Sequence, residues 1–148
     1  MSLWAITTSA DVSLSAATAK TVLGFKAPSN AVITLRNAHI NFESVTASDA
    51  VALIELVKGS ADGTGTSETP INYNGAHTAS CSFTAKHTYT VEPSSLTVIK
   101  AWQYPVQGSA DIPLPFFVPI TSAAGGFIGF RVTTPQAQSC RISADVED

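Results

Sequence analysis

"CRISADVE", residues 140–147, is the stretch that decides the fold, because its apolar and polar side chains alternate strictly. One side carries apolar or small residues and the other carries charged residues and a hydroxyl: Cys140, Ile142, Ala144 and Val146 against Arg141, Ser143, Asp145 and Glu147. Side chains of a β-strand point to opposite faces in turn. The stretch therefore predicts a strand with one buried face and one solvated face.

The same period of two recurs along the chain, and no stretch keeps helical spacing for long. Short segments separated by Gly, Pro, Ser and Asn predict an all-β fold, and 148 residues suffice for one domain with a core. We expect residues 1–148 to form a single-domain antiparallel β-sandwich, jelly-roll-like, with eight or nine strands. In one segment the apolar register predicts a core strand: Leu96, Val98, Trp102, Tyr104 and Val106.

In the segment 33–42 the apolar face changes sides. Ile33 and Leu35 are odd-numbered, whereas Ile40 and Phe42 are even-numbered. Either a β-bulge re-aims the strand near residues 36–38, or the strand leaves one sheet and continues in another. Both alternatives fit a sandwich.

The segment 51–57 is apolar on both faces, apart from one carboxylate. A strand of this kind is covered on both sides, and a two-layer sandwich covers only one. We therefore expect a neighbouring subunit to cover the odd-numbered face, which consists of Val51, Leu53, Glu55 and Val57.

Two further segments are expected to project from the core. Prolines at 113, 115 and 119 predict an edge strand or extended arm over residues 112–121, because proline cannot donate to a sheet ladder. Phe116 and Phe117 on this arm are candidate interface residues. Residues 1–13 are a candidate N-terminal arm, and residues 58–76 read as one long loop.

Composition indicates which partners to expect. Only 13% of residues are charged, about half of the ~25% usual in soluble domains. The 17 Ser, 17 Thr and 21 Ala must cover much of the surface, which favours assembly, since interface cores are depleted in charge. A net charge of −3 without a basic cluster argues against nucleic acid. No apolar run approaches the ~18 residues of a membrane span, so synthesis in the cytoplasm is expected.

The residues give no local signal for catalysis, a metal or a cofactor. There is no G-x-S-x-G elbow, and His39, His77 and His87 lie in separate segments, the last two expected near loops. "KGSADGTGTSETP" (58–70) lacks the ending of a phosphate loop and the spacing of a calcium loop, so it is interpreted as a connector. Cys81 and Cys140 have no CxxC spacing; buried free thiols are expected, and their pairing stays open. We predict no enzyme, no metal and no cofactor.

Three stretches together resemble a group of small structural proteins encoded beside the capsid genes of tailed phages and prophages: "LSAATAKTVLGFKAPSNAVITLR" (14–36), "INFESVTASDAVALIELVKGSADGTGTS" (40–67) and "TVEPSSLTVIKAWQYP" (90–105). The resemblance implies a virion component, a homo-oligomer with a trimer preferred, that binds or decorates a capsid through a major capsid protein. It carries over no site residues.

The alternative function is a carbohydrate-binding or receptor-binding β-sandwich. Tyr73 and Tyr89 lie in or near predicted loops and, with the 58–70 segment, would form a ligand rim. Such a site needs a concave surface lined by aromatic side chains and hydrogen-bond donors.

Overall fold

The computed structural model describes residues 2–43, 50–75, 80–115 and 118–148. Within these residues the chain forms thirteen β-strands in two sheets, and every strand pairing is antiparallel. The strands are β1 (Leu3–Thr7), β2 (Val12–Leu14), β3 (Lys20–Lys26), β4 (Ile33–Glu43), β5 (Val51–Gly59), β6 (Thr64–Glu68), β7 (Ile71–Asn72), β8 (Thr84–Val91), β9 (Thr97–Pro105), β10 (Gly108–Asp111), β11 (Ile120–Ser122), β12 (Phe127–Thr133) and β13 (Gln138–Glu147).

The strand order is that of a jelly roll. The first sheet runs β10-β4-β13-β1-β7, with β11 also beside β4 and β2 also beside β13; the second runs β6-β8-β3-β12-β5-β9. β1 and β2 both pair with β13, one after the other along its length, and together they count as one strand position. β10 and β11 pair with β4 in the same way. Without β6, β7 and β8, eight strand positions remain, four in each sheet. The predicted single-domain β-sandwich is therefore confirmed, with β6 to β8 inserted between β5 and β9.

The core lies between the two sheets and follows the predicted alternation. In β13 the even-numbered positions from Cys140 to Val146 are buried. From the second sheet, Phe25 and Phe130 are fully buried, and the Phe25 ring meets Phe83 edge to face at 6.1 Å. Aromatic pairs in this geometry stabilise a core beyond the area that they bury.

The change of apolar face in residues 33–42 is a β-bulge. Leu35 lies opposite Val146 and Asn37 opposite Asp145, so Arg36 is the extra residue in β4. Arg36 and Asn37 are both exposed, and the buried positions switch from odd to even numbers after them. The first of the two alternatives is confirmed, and β4 stays in one sheet throughout.

Two segments expected to project are parts of the sheets. The N-terminal arm is wrong, because β1 and β2 both pair with β13. The 58–76 segment is not one loop: its first two residues complete β5, and it then forms β6, which pairs with β8, and β7, which pairs with β1. Part of the backbone of this polar segment is therefore hydrogen-bonded in the two sheets.

The proline-rich segment 112–121 connects β10 to β11, and both strands pair with β4 at the edge of the first sheet. Ile112 and Ile120 are buried there, while Val118 is exposed. The predicted edge strand thus exists as the short β11. Phe116 and Phe117 lie outside the described residues, as does His77.

β9 is an edge strand, whereas its sequence register predicts a core strand. Lys100 lies opposite Leu56 and Val98 lies opposite Val57, so Ile99 is an extra residue that reverses the register. As a result Val98 is exposed. Trp102 and Tyr104 are half-buried against the core, and Val106 is buried.

Candidate interaction surface

The candidate surface is the outward side of β5 and β9 together with the free edge of β9. Val51 lies opposite Pro105, Leu53 opposite Gln103 and Glu55 opposite Ala101 on this side. The exposed apolar residues here are Val51 (46% exposed), Val98 (42%) and, at the bulge, Ile99 (43%). We call this the β5–β9 face, and its members are Val51, Leu53, Val98, Ile99, Ala101, Gln103 and Pro105.

The four predicted interface residues of β5 do share one face, but the chain itself covers two of them. Val57 is fully buried in a cluster with Tyr89, Phe127 and Leu96 on the outer side of the second sheet. Glu55 accepts a hydrogen bond from Arg131 Nε at 2.8 Å. The expectation that a neighbouring subunit covers the whole strand is therefore wrong for Val57, and Glu55 is already paired within the chain. It remains for Val51 and Leu53, which are exposed and half-buried.

The outer cluster depends on two glycines that face each other. Gly129 lies opposite Gly24 in β3 and opposite Val57 in β5. A Cβ on Gly24 would come within 2.5 Å of both the Phe127 ring and the Tyr89 hydroxyl. The glycines thus leave the space in which Phe127 and Tyr89 meet edge to face at 6.4 Å.

The edge of β9 has no strand partner in the described part of the chain, because β9 ends the second sheet. Exposed edges present unpaired N–H and C=O groups, and proteins usually protect them with charges, prolines or bulges. β9 has a bulge at Ile99, one charge at Lys100 and one proline at its end. The Lys100 ammonium lies over the Trp102 ring, 5.5 Å from its centroid. Residues 101–104 therefore form an uncharged edge next to the apolar face.

The structure does not bring the two rim tyrosines together. Tyr89 is buried in the outer cluster, and its hydroxyl donates to Asp62 Oδ1 at 3.2 Å. Tyr73 is exposed beside the first sheet, where its N–H donates to Leu3 O and its hydroxyl to Asp145 Oδ1 at 2.7 Å. Desolvation is the main cause that raises the pKa of Tyr89, and the Asp62 carboxylate adds to it. A shared ligand rim at Tyr73 and Tyr89 is therefore wrong.

Sequence reasoning placed His87 near a loop, but it lies within β8 and is 3% exposed. Its Nε2 is 2.9 Å from Glu68 Oε1, and its Nδ1 is 2.7 Å from the Thr88 hydroxyl. Glu68 Oε1 also accepts the Ser9 N–H, and Ser9 Oγ is 3.5 Å from the same Nε2. Ser9 and Glu68 thus both approach Nε2 of His87. In a catalytic triad the histidine contacts the nucleophile with one ring nitrogen and the carboxylate with the other, so this cluster does not have the geometry of a triad. The cluster ties β6 and the β1–β2 turn to β8.

His39 is the second histidine that the structure describes. His39 is half-exposed, between Asp111 Oδ1 at 2.7 Å and Asn41 Oδ1 at 3.1 Å. In the described ranges, no group of three or more His, Cys, Asp or Glu is arranged to hold a metal ion. No helix in these ranges has the length and apolar character needed to cross a membrane.

Both cysteines are free thiols, Cys140 buried and Cys81 half-buried. Burial is the largest cause that raises the pKa of Cys140 to about 12 and that of Cys81 to about 11. Since only the thiolate reacts, at pH 8 we expect both thiols to react with a disulfide reagent at least about a hundredfold more slowly than in the unfolded chain. Absorbance of the released thiol, with and without denaturant, measures this. A fast reaction of the folded chain would contradict the burial.

Comparison with protein-family models, with curated proteins and with solved structures found no match to this chain. A function for this chain is therefore inferred from its own fold and from the β5–β9 face.

Proposed function

We propose that this protein is a non-enzymatic structural component of a phage or prophage particle. It assembles as a homo-oligomer, preferably a trimer, and binds or decorates the capsid, so that its final location is the virion. The observation that carries the proposal is the β5–β9 face, an apolar patch continuous with an unpaired sheet edge. The resemblance of residues 14–36, 40–67 and 90–105 to small virion proteins supplies the class of assembly.

The chemistry of the face suits contact with another protein surface. Its exposed members are apolar or uncharged, and the one carboxylate beside them, Glu55, is already bonded to Arg131. Burying such a surface removes apolar area from water without leaving an unpaired charge. Pairing the edge of β9 with a strand of a second copy would satisfy the backbone groups that the single chain leaves open.

The test of assembly places a charge on the face. We expect light scattering to give the wild type a mass of about three times the 15.4 kDa chain. Val98→Asp should weaken association about a hundredfold or more, because a carboxylate buried without a partner costs several kcal/mol.

Val32→Asp is the matched control for this test. Val32 is 53% exposed, close to the 42% of Val98, but lies in the loop before β4. We expect this variant to keep the wild-type mass. A monomeric wild type, or equal masses for all three proteins, would refute assembly through this face.

Capsid binding needs a separate measurement. Purified protein is mixed with empty shells of the major capsid protein encoded beside its gene, and the shells are pelleted. We expect the protein to sediment with the shells at a saturating, fixed ratio to the capsid subunits. If it stays in the supernatant while its oligomer is intact, the capsid part of the proposal fails and the assembly part stands.

A further inference from the structure

A cavity of about 280 Å³ opens at one end of the sandwich, next to the Val98 end of the β5–β9 face. It lies where β5 ends, β9 begins and the turn 123–126 leads into β12. Lys58 and Thr97 face each other across the β5–β9 pairing at this point. The residues that give the cavity its polar character are Lys58, Ser60, Ser95, Thr97 and Ser122.

The walls of this cavity are fixed by backbone contacts and one lysine. The Lys26 ammonium donates to Ser60 O at 2.6 Å and also to Gly125 O, so it joins two of the loops at the rim. The turn is closed by Gly126 N–H to Ala123 O at 2.8 Å. The third loop at the rim is the one before β9, which contains Ser94 and Leu96. A Cβ on Gly59 would meet Leu96 Cδ2 at 2.9 Å and Ser94 O at 3.1 Å, so this loop packs tightly against the end of β5. The cavity is preorganised.

Among the described residues, four side-chain donors of the cavity are unused, while the fifth, the Ser122 hydroxyl, donates to Ala123 O at 3.1 Å. Within the described ranges, the Lys58 ammonium has no hydrogen bond or ion pair, and the hydroxyls of Ser60, Ser95 and Thr97 have no side-chain partner. None of the lining residues is acidic. The nearest carboxylate along the chain, Asp62, is bound 2.7 Å from the Lys86 ammonium. One unpaired ammonium and several hydroxyls thus line a cavity that has no carboxylate among its lining residues.

From this geometry we infer a binding site for a phosphate group, with Lys58 as its cation and the hydroxyls as further donors. The phosphate is a group of a small molecule or the free ion. An ammonium and hydroxyl groups supply donors to a tetrahedral oxyanion, and a charge-assisted hydrogen bond is the stronger kind. The volume corresponds to roughly nine water molecules, since each occupies about 30 Å³ in the liquid. This volume is large enough for a phosphate with a small group attached to it. The sequence contains no phosphate-loop pattern. The residues of this site are separated along the chain and come together only when it folds.

The test is a titration followed by ¹H–¹⁵N correlation spectra at constant ionic strength. The probes are inorganic phosphate and glycerol 3-phosphate, with sodium chloride as the reference salt. We expect saturable shifts of the amides of Gly59, Thr97 and Gly126, with a Kd of about 1–5 mM for inorganic phosphate. Tighter binding of glycerol 3-phosphate would identify a phosphate ester as the source, and equal binding the free ion.

Two variants and one control locate the binding. Lys58→Gln should weaken it at least tenfold, and Thr97→Val severalfold. Lys20→Gln should leave the binding unchanged. Lys20 begins β3, whereas Lys26, which lies at the rim of the cavity, ends it. The dispersion of the spectra shows that each variant is folded. Linear shifts that chloride reproduces, or equal binding by wild type and Lys58→Gln, would overturn the inference.

Discussion

Glu68→Ala is expected to lower the free energy of unfolding by about 3 kcal/mol. The Glu68 carboxylate is 8% exposed and accepts from the backbone of Ser9 while it contacts His87 Nε2 at 2.9 Å. Alanine leaves the buried His87 Nε2 without its carboxylate partner, whereas the exposed Ser9 amide can turn to water. An unsatisfied buried polar group costs more than the lost bond is worth, because it has given up its water. Urea unfolding followed by tryptophan fluorescence measures the change.

The chain contains its own control for this prediction. Asp111 and His39 form a pair of the same chemistry at 2.7 Å, but the Asp111 side chain is 87% exposed. Asp111→Ala should therefore cost less than about 1 kcal/mol, since water replaces the lost partner. Two equal losses would show that burial does not determine the strength of the His87 cluster.

Gly129→Ala should destabilise the fold by about 3 kcal/mol or prevent folding. Gly129 lies in β12, which is hydrogen-bonded on both sides by β3 and β5. The added Cβ would come within 2.8 Å of Leu23 O and 3.1 Å of Gly24 Cα, and both are backbone atoms. Neither atom can move without breaking the ladder between β3 and β12. Thermal unfolding by circular dichroism measures the loss.

Gly75→Ala is the control for this substitution. A Cβ at Gly75 would have no atom of the described residues within 4 Å. We expect its melting temperature to stay within a few degrees of the wild type. If Gly129→Ala were as stable as Gly75→Ala, the sheet would have adjusted to the added Cβ. The close approach of β3 and β12 would then not limit side-chain size at this position.

Period-two patterns predicted the strands whose one face is buried, and they failed in β9, where a bulge reverses the register. The alternation in β13 is uninterrupted, so its buried face was predicted residue by residue. In β4 the parity change indicated either a bulge or a change of sheet, and the structure has the bulge at Arg36. In β9 the bulge at Ile99 leaves no parity change, because Leu96, Val98, Trp102 and Tyr104 stay in one register that only Lys100 interrupts. A register drawn through it assigned Val98 to the wrong face.

Long-range contacts explain the other differences. The partners of Val57 come from β8 and β12, so a sequence reading of β5 alone assigned its outer face to a neighbouring subunit. Ser9, Glu68 and His87 lie far apart along the chain, and no local spacing indicates that they meet. The polar segment 64–72 has the composition of a loop, yet it pairs with β8 and β1.

The position of β13 has a consequence for the order of events during synthesis. It is the last of the thirteen strands along the chain, yet it lies at the centre of the first sheet, between β4 and β1. A ribosome releases β1 and β4 long before the strand that joins them. Their facing edges therefore stay open until residues 138–147 have been synthesised, and closure of this sheet is a long-range event that makes folding slow. Chaperone binding to nascent chains is expected to end only after residues 138–147 emerge.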